Sequence, residues 1–364
     1  MGIFSLHVDT ARTWRGGQNQ VLLTVLGLRE LGHRAALVAH PDGALRARAN
    51  EGLELIPLAP RSEFDLSAAW KLSRVIRQLK PDIVHAHDSH GIAMAGTALS
   101  MASADPKPTL IMSRRVDFHL GKNALSRWKY RQVDCFICAS AAIRAMVVAD
   151  GVPEDRTSIV HDGVNLAAID LVPATNVREA LWLPHDAPVV ANAGALVPHK
   201  GQKHLVDAAP LVLRQVPDAR FVIFGEGELR DSLDRQIRSH SLEKHVLLAG
   251  FRDDVLALCK TIDVFAMSSV TEGLGSAVLE VMACRKPVVA TSAGGLPESV
   301  VNNETGLLVP PRDDRALAAA IVRLLGDPQL RARFGEAGRR RVEEHFSVEQ
   351  MVRATVQVYE RARA

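Results

Sequence analysis

The chain contains 364 residues, of which 47% are hydrophobic and 23% are charged, and its 44 Lys and Arg against 41 Asp and Glu leave a net charge of +3. That length predicts two domains, and so small a net charge excludes the strongly basic surface typical of nucleic-acid-binding proteins. No apolar run approaches the ~20 residues of a membrane-spanning helix, and no basic segment precedes the first apolar run, so we expect neither a transmembrane segment nor a signal peptide. We interpret the four cysteines as reduced core thiols and expect a cytoplasmic protein, either free or peripheral at the inner face of the membrane.

Short apolar runs alternate with amphipathic stretches along the first half of the chain, which is typical of an α/β protein with a parallel sheet. We predict strands at 2–8, 34–39, 54–58, 83–87, 109–113, 135–139 and 158–161. Apolar residues at i, i+3 and i+4 predict helices at 20–31, 68–79 and 91–100.

The second half repeats the same alternation. We predict strands at 189–193, 220–224, 246–248, 264–267, 287–290 and 306–309, and helices at 202–215, 228–240, 253–259, 276–283 and 314–325, followed by a last helix at 348–363. The two series predict two doubly wound domains facing each other across a deep cleft, with ligands at the carboxyl ends of the strands. The pattern alone does not assign the last helix to either domain.

Gly16 and Gly17 follow the first predicted strand and precede a helix. Paired glycines allow a tight turn and a close approach of the backbone to a ligand, although a plain turn is the alternative. The pattern is not GxGxxG, so it does not predict a nicotinamide cofactor.

Polar side chains also end two other strands of the first half. His85 and His87 are candidates for lining a cleft, and a metal site is the minority interpretation because no third ligand is in view. Arg114, Arg115 and His119 follow the next strand, where two arginines and a histidine can hold a phosphate or an acidic acceptor. A solvated basic loop is an equal alternative for Arg114.

In the second half, Lys200 lies just before a glycine at the start of a helix, which places a point charge where a diphosphate would bind. Gly194 precedes it in the same loop. Gly225 and Gly227 follow the next strand and bring the backbone close to a nucleotide, although a GxG pair alone is a weak motif.

Glu272 and Glu280 are the most informative pair in the chain. Glu272 lies in a glycine-flanked turn, whereas Glu280 lies inside an apolar helical run, where a carboxylate is costly to bury unless something bonds to it. The helix N-terminus between them favours an anion. An anion beside two carboxylates that accept hydroxyl groups predicts a sugar nucleotide as the ligand.

Taken together, these motifs resemble the retaining glycosyltransferases of family 4, which have the GT-B fold. The resemblance is specific in the second half, where the motifs occur in order and at family spacing; they are Gly194, Lys200-Gly201, Gly225-Glu-Gly227, Gly250-Phe, Glu272-Gly-Leu-Gly-Ser, Glu280, Pro287-Val-Val-Ala, Gly294-Gly, Glu298 and Gly306-Leu-Leu-Val. The first half matches less tightly, through Gly16-Gly17, Glu30-Leu-Gly-His33, the segment 81–87 and Asp162-Gly-Val-Asn165. Arg-Gly-Gly-Gln-Asn-Gln at 15–20 and Ser-Arg-Arg-Val-Asp-Phe at 113–118 are similar to a branch of bacterial lipopolysaccharide-core and cell-surface sugar transferases.

The resemblance implies a role for each matching residue. Glu280 would bond the donor ribose, Glu272 the hydroxyls of the transferred sugar, Lys200 the diphosphate, and His119 would lie near the reacting sugar. The amides of Gly273, Leu274, Gly275 and Ser276 would lie beside the sugar and the diphosphate. The resemblance also implies that the last helix crosses back onto the N-terminal domain, which gives an acceptor domain at 1–170 plus about 346–364 and a nucleotide-sugar domain at 171–345.

Ala195 departs from the family pattern, because family members commonly carry an arginine there that grips the diphosphate together with the lysine. Arg15, Arg114 and Arg115 are the candidates for replacing that charge or for contacting an acceptor. We expect no cofactor and no metal, because protein cations would serve the diphosphate.

The resulting hypothesis is a retaining transfer of a hexosyl unit from a nucleoside-diphosphate sugar to the hydroxyl of a glycan or lipid-linked acceptor, in the synthesis of a cell-surface polysaccharide, lipopolysaccharide or glycolipid. A sugar-nucleotide 2-epimerase of the same fold and a catalytically silent sugar-nucleotide-binding paralogue are the alternatives. Basic residues in the stretch 122–131 predict a contact with an anionic membrane or an acidic glycan, and an ordinary solvated helix is equally consistent with them.

Overall fold

The computed structural model describes residues 2–49, 52–63, 65–121 and 123–363. The chain divides into two compact units, of which unit 1 comprises residues 1–163 and 348–364 and unit 2 comprises residues 164–347. The predicted boundary at residue 170 falls within a helix of unit 2, Leu166–Leu171.

Unit 1 is built around a parallel sheet of seven strands. They are β1 (Phe4–Asp9), β2 (Arg34–Ala39), β3 (Glu54–Pro57), β4 (Ile83–Ala86), β5 (Thr109–Arg114), β6 (Cys135–Cys138) and β7 (Thr157–Ile159). Their order in the sheet is β3-β2-β1-β4-β5-β6-β7. The central strands are buried on both faces, which explains why most of their residues are apolar; Ser5, His7 and Asp9 of β1 and His85 of β4 are buried polar exceptions.

The helices of unit 1 cover both faces of this sheet. They are α1 (Gly16–Glu30), α2 (Ala44–Arg48), α3 (Leu66–Leu79), α4 (Ser89–Ala102), α5 (Ala124–Arg131) and α6 (Ala141–Ala149). Asp65 and Ser140 cap α3 and α6 by accepting hydrogen bonds from the amides of Ala68 and Ile143, as expected for such residues at a helix start.

The last helix of the chain, which we number α16 (Val348–Arg363), completes unit 1 by packing on α1. The contact is close: a Cβ at Gly27 of α1 would lie 2.5 Å from Cγ2 of Val352. Tyr359 is fully buried, and its hydroxyl lies 2.6 Å from Nδ1 of His85. The helix therefore supplies part of the unit's core as well as a polar group to its interior.

Unit 2 contains a second parallel sheet, of six strands. They are β8 (Val189–Ala193), β9 (Arg220–Phe224), β10 (Val246–Gly250), β11 (Val264–Met267), β12 (Val288–Thr291) and β13 (Gly306–Val309), in the order β10-β9-β8-β11-β12-β13. Its helices are α7 (Leu166–Leu171), α8 (Val177–Ala180), α9 (Gln202–Leu213), α10 (Arg230–Ser239), α11 (Val255–Cys259), α12 (Ser276–Ala283), α13 (Leu296–Ser299), α14 (Asp314–Gly326) and α15 (Pro328–His345).

Each sheet has one point at which the strand order reverses. This switch point lies between β1 and β4 in unit 1 and between β8 and β11 in unit 2. Loops that leave the carboxyl ends of the two strands at a switch point diverge, and the crevice between them is where doubly wound sheets bind ligands. No helix among the described residues is long and apolar enough to cross a membrane.

Candidate functional site

Lys200 and Glu272 meet at the switch point of unit 2. Lys200 ends a short 3₁₀ helix after β8, and Glu272 lies in the loop after β11. The Lys200 Nζ lies 2.9 Å and 2.7 Å from the two carboxylate oxygens of Glu272, and Ser269 Oγ donates to the same carboxylate at 3.0 Å. The side chains are only 22% and 10% exposed, so this is a mostly buried, two-point ion pair.

Two glycines in left-handed conformations bring the neighbouring strand-end loops into contact. Gly225 has φ +134°, and a Cβ there would lie 2.0 Å from the carbonyl oxygen of Gly194 in the loop after β8. Gly294 has φ +52°, and a Cβ there would lie 1.9 Å from the carbonyl oxygen of Glu272. Any side chain at either position would push the loops apart, so these glycines keep the crevice narrow.

Helix α12 begins at Ser276, four residues after Glu272, and its N-terminal loop presents free donors. Gly275 precedes it with φ +87°. Among the hydrogen bonds of the described residues, none uses the amide N–H of Gly273, Leu274, Gly275 or Ser276. Amide N–H groups that donate no hydrogen bond at a helix N-terminus form an anion-binding site, because the positive end of the helix dipole adds to their attraction for an anion.

Glu280 lies one turn further along α12 and is half-buried. Within the described part of the chain, no hydrogen bond or ion pair engages its carboxylate. Burial raises the pKa of Glu280 to about 7, and no cation offsets the effect. This carboxylate is thus a poorly solvated acceptor to which no group of the described residues donates a hydrogen bond.

Ala195 is exposed in the loop after β8. Gln202 Nε2 donates to the Ala195 carbonyl oxygen at 3.0 Å, and the Gln202 Oε1 is buried without a partner in the described residues. The sequence analysis did not identify Gln202 or Ser269 as site residues, because each contributes through a fold-dependent contact and neither belongs to a charged or glycine-rich motif.

In unit 1, His85 and His87 are joined by His7 of β1, the third histidine that the sequence analysis did not find. His7 Nδ1 lies 2.9 Å from His87 Nε2, and its Nε2 lies 3.0 Å from Ser5 Oγ. His85 contacts Tyr359 OH and, at 2.8 Å, Ser113 Oγ. Burial lowers the pKa of all three histidines, so they are neutral.

The hydrogen bonds of this histidine cluster have a defined direction. Arg115 Nη1 lies 3.1 Å from His87 Nδ1, and because a guanidinium only donates, His87 must accept there and carry its proton on Nε2. His87 therefore donates to His7, and His7 in turn donates to Ser5. The three rings lie close enough for a metal ion, but both nitrogens of each ring are already hydrogen-bonded. A second group with metal-ligating atoms, His204, Asp207 and Asp314, lies in unit 2.

Two hydrogen bonds fix the orientation of the Arg115 guanidinium in unit 1. Its Nε donates to Asp162 at 2.8 Å and its Nη1 donates to His87, which leaves Nη2 without a hydrogen-bond partner among the described residues. Arg114 is different: it is buried, donates to the Phe118 carbonyl oxygen, and has its pKa lowered by burial. The alternative of a solvated basic loop at Arg114 is therefore wrong.

The remaining predicted residues of unit 1 lie on its surface. His119 is exposed, and its Nδ1 lies 2.7 Å from Asp150 Oδ1. Arg15 is exposed at the start of α1. Gly16 and Gly17 are the first two residues of α1 and have no left-handed φ, so the predicted tight turn is wrong and the helix begins four residues earlier than predicted.

Two doubly wound parallel sheets whose strand-end loops carry the polar residues define an α/β protein of two Rossmann-like domains. Comparison with known proteins identifies the family: the group 1 glycosyl transferases match residues 174–341, and glycosyltransferase family 4 matches residues 14–168. The chain belongs to the group 1 glycosyltransferases, which confirms the resemblance seen in the sequence.

Individual relatives support the same assignment. The chain is 31% identical over 300 residues to the glycogen synthase of Mycobacterium tuberculosis, covering 78% of this chain and 69% of that protein. It is 32% identical over 229 residues to the lipopolysaccharide core biosynthesis glycosyltransferase LpsE of Rhizobium meliloti, covering 63% and 65%. The crystal structure of Anabaena Alr3699/HepE in complex with UDP-glucose superimposes with a TM-score of 0.85 at 21% identity and covers 99% of this chain and all of that one. This likeness confirms the predicted GT-B fold class of two Rossmann-like domains.

Proposed function

We propose that this glycosyltransferase moves a hexosyl unit from a nucleoside-diphosphate sugar to a hydroxyl acceptor, with retention at the anomeric carbon. The observation that carries the proposal is the Lys200–Glu272 pair at the switch point of unit 2. It lies beside the amide N–H groups of residues 273–276, which donate no hydrogen bond among the described residues. A cation, free amides and a carboxylate within one crevice match the diphosphate and the sugar hydroxyls of such a donor.

Each group of unit 2 has a place in this proposal. Glu280 accepts the ribose hydroxyls, which supply the donors that its buried carboxylate lacks. Glu272 accepts hydroxyls of the transferred sugar, and Lys200 turns toward the diphosphate. Gly194, Gly225 and Gly227 allow the backbone to approach the nucleotide, and Gly16 and Gly17 are proposed as donor contacts of unit 1.

The reaction breaks the bond between the anomeric carbon and the diphosphate oxygen and forms a bond between that carbon and the acceptor oxygen. The acceptor proton passes to the departing phosphate oxygen on the same face of the sugar. Negative charge grows on the diphosphate as the bond breaks, so Lys200 and the α12 amides stabilise the transition state more than the ground state. In this proposal His119 lies near the reacting sugar, and Arg15 and Arg115 contact phosphate or acceptor.

We further propose that the reaction requires neither a metal nor a cofactor, because Lys200 and the amides supply the electrophilic groups. Two similar proteins support the proposed setting and donor: LpsE is named for lipopolysaccharide core biosynthesis, and the HepE structure contains UDP-glucose. We therefore propose a UDP-hexose as the first donor to test and cell-surface glycan or glycolipid synthesis as the role, at the cytoplasmic face of the membrane.

The test is donor hydrolysis and donor binding with UDP-glucose, UDP-galactose, GDP-mannose and ADP-glucose, in the presence of a chelator. We expect turnover of one donor, and its loss in Lys200→Ala and Glu280→Ala. Arg252→Ala is the matched control, because Arg252 forms an exposed pair with Asp254 after β10. Thermal stabilisation without turnover would indicate a silent paralogue, a 2-epimeric product would indicate an epimerase, and near-wild-type turnover in either test variant would refute the assignment.

A further inference from the structure

A cavity of about 800 Å³ opens at the carboxyl ends of four strands of unit 1. Its lining includes Arg12 after β1, His40 after β2, Arg61 after β3 and Asp88 after β4. The cavity thus occupies the edge of the sheet at which doubly wound units bind ligands, next to the switch point between β1 and β4.

The lining of this cavity carries more positive than negative charge. Arg61 has no side-chain hydrogen bond or ion pair among the described residues. Arg12 Nε lies 3.3 Å from His40 Nε2, and its Nη2 forms a long, exposed ion pair with Asp42 at 3.7 Å, which leaves further N–H groups to donate. Asp88 is the one carboxylate of the lining, and one of its oxygens accepts from the Gly91 amide. Two arginines with spare donors favour a ligand that carries an anionic group as well as hydroxyls.

Helix α5 reaches the rim of the cavity through one buried lysine. Lys129 forms an ion pair with Glu63, the neighbour of the lining residue Ser62, and its Nζ lies 3.5 Å from the carbonyl oxygen of the lining residue Ser89. This contact places α5 beside the start of α3, at the mouth of the cavity.

Large apolar side chains are exposed on these elements. We call them the apolar rim: Leu66, Trp70, Phe118, Leu125 and Trp128, which are between 42% and 64% exposed. A set of five on three neighbouring segments exceeds the scattered exposure that is normal for a monomer surface and marks an interaction site.

The charges around the apolar rim indicate which kind of partner it binds. Besides the buried, ion-paired Lys129, helices α3 and α5 contain five exposed cations and no acidic residue; the exposed cations are Lys71, Arg74, Arg77, Arg127 and Arg131. Tryptophan and leucine side chains interspersed with lysine and arginine are typical of segments that lie on the surface of an anionic bilayer.

We propose that the acceptor is an anionic amphiphile: its polar head, which bears a phosphate or carboxylate group and the reacting hydroxyl, enters the cavity, while the apolar rim docks on the anionic bilayer that holds its tail. This inference rests on the proposed function, because it identifies the acceptor of that transfer. It goes beyond that function by linking a particular cavity to a particular surface of the same unit.

Vesicle co-sedimentation tests the docking surface without any donor. We expect the wild-type protein to bind vesicles of phosphatidylcholine with phosphatidylglycerol and not vesicles of phosphatidylcholine alone, and the double variant Trp70→Ser/Trp128→Ser to lose at least about tenfold in partitioning. Trp182→Ser is the matched control, because Trp182 is 95% exposed in unit 2 and belongs to no such cluster. Unchanged partitioning of the double variant, or an equal loss in the control, would overturn the docking surface.

The head-group site is tested with a soluble probe. We expect sn-glycerol 3-phosphate, but not glycerol, to give ligand-observed NMR signals of binding, and Arg12→Ala/Arg61→Ala to lose them. Lys107→Ala is the control, since Lys107 lies at the opposite, amino-terminal edge of the same sheet. Binding that survives in the double arginine variant, or glycerol that binds equally well, would overturn the anionic head group.

Two further measurements separate the remaining outcomes. If the lipid-free protein sediments as a dimer and the double tryptophan variant as a monomer, the apolar rim is an interface between copies of this chain and the proposal is overturned. UDP binding, followed by thermal shift in the same variants, should remain at the wild-type level. A wild-type protein that binds anionic vesicles but no nucleotide would refute the proposed function and leave the docking surface standing.

Discussion

Lys200 and Glu272, 72 residues apart in the chain, neutralise each other through two short contacts at the reversal of strand order in unit 2. The carboxylate proposed to hold the sugar therefore also holds the cation proposed to meet the diphosphate. Donor binding must exchange this internal pair for two contacts to the substrate. The pair keeps both groups compensated in a crevice where either alone would be costly.

Removing one member of this pair should destabilise unit 2. We expect Lys200→Met to lower the free energy of unfolding by about 2–3 kcal/mol, between the values for exposed and fully buried pairs, because it leaves Glu272 without its cation. The double variant Lys200→Met/Glu272→Leu should recover most of that loss without recovering donor turnover. Urea unfolding measures the free energy of unfolding of the wild type and of each variant. Arg252→Met is the exposed control, for which we expect that free energy to fall by less than about 1 kcal/mol. Equal losses in the single and double variants would contradict the coupling.

Glu280 should make stability depend on pH in a defined direction. Its pKa is about 7 in the folded protein against an ordinary value of 4.5, so the folded state holds the proton more tightly and stability falls as pH rises from 4.5 to 7. Glu280→Gln removes this dependence. The variant should therefore match the wild type at pH 4.5 and exceed it above pH 7 by at most about 3 kcal/mol, while binding the donor more weakly. Thermal unfolding of the wild type and of Glu280→Gln between pH 4.5 and 7 tests this prediction. A stability difference between the two proteins that stays constant with pH would contradict the raised pKa of Glu280.

Gly225→Ala should strain the loop after β9, because the position combines φ +134° with a carbonyl oxygen 2.0 Å from the new Cβ. We expect a loss of at least about 1–3 kcal/mol in the free energy of unfolding and a fall in donor affinity. Gly326→Ala is the matched control at the end of α14, where a Cβ meets nothing within 4 Å, and it should be neutral or stabilising by about 0.5–1 kcal/mol. Similar effects of the two substitutions would mean that the crowding at Gly225 is unimportant.

Tyr359→Phe should show how much the hydrogen bonds of the histidine cluster contribute to the stability of unit 1. The substitution removes the hydroxyl that contacts His85 and leaves a buried ring nitrogen unpaired, at a cost of about 1–3 kcal/mol. Tyr130, the other tyrosine of the chain, has no recorded hydroxyl hydrogen bond among the described residues, so Tyr130→Phe is the control and should be nearly neutral. Chemical denaturation of the two variants should therefore differ clearly.

The strands were predictable because parallel strands buried on both faces form apolar runs with sharp ends. The bounds of β2, β8, β9, β11 and β13 match the prediction, as do those of α12 and α16. Helix α15 was not predicted, because its 18 residues are rich in charge and contain two glycines. Gly335 serves packing there: a Cβ would lie 2.1 Å from the carbonyl oxygen of Arg285, so the helix approaches its neighbour more closely than a side chain would permit.

The site was predictable residue by residue but not as a set of contacts. Glycine-flanked loops at strand ends identified Lys200 and Glu272, yet their pairing depends on β8 and β11 being neighbours, which no local pattern specifies. His7 was missed for the same reason, since it approaches His85 and His87 only because β1 pairs with β4. The available signal was the alternation of the polar residues Ser5, His7 and Asp9 with apolar residues along the first strand.

The position of α16 has a consequence for how the protein is made. The 16 residues of this helix cover Val21, Val25 and Leu28 on α1, and they are synthesised only after all of unit 2. During translation, this apolar face of α1 therefore stays uncovered while all of unit 2 is synthesised. The nascent chain can bind chaperones over that interval, and a stop codon placed directly after residue 347 would leave the unit that was translated first without this helix.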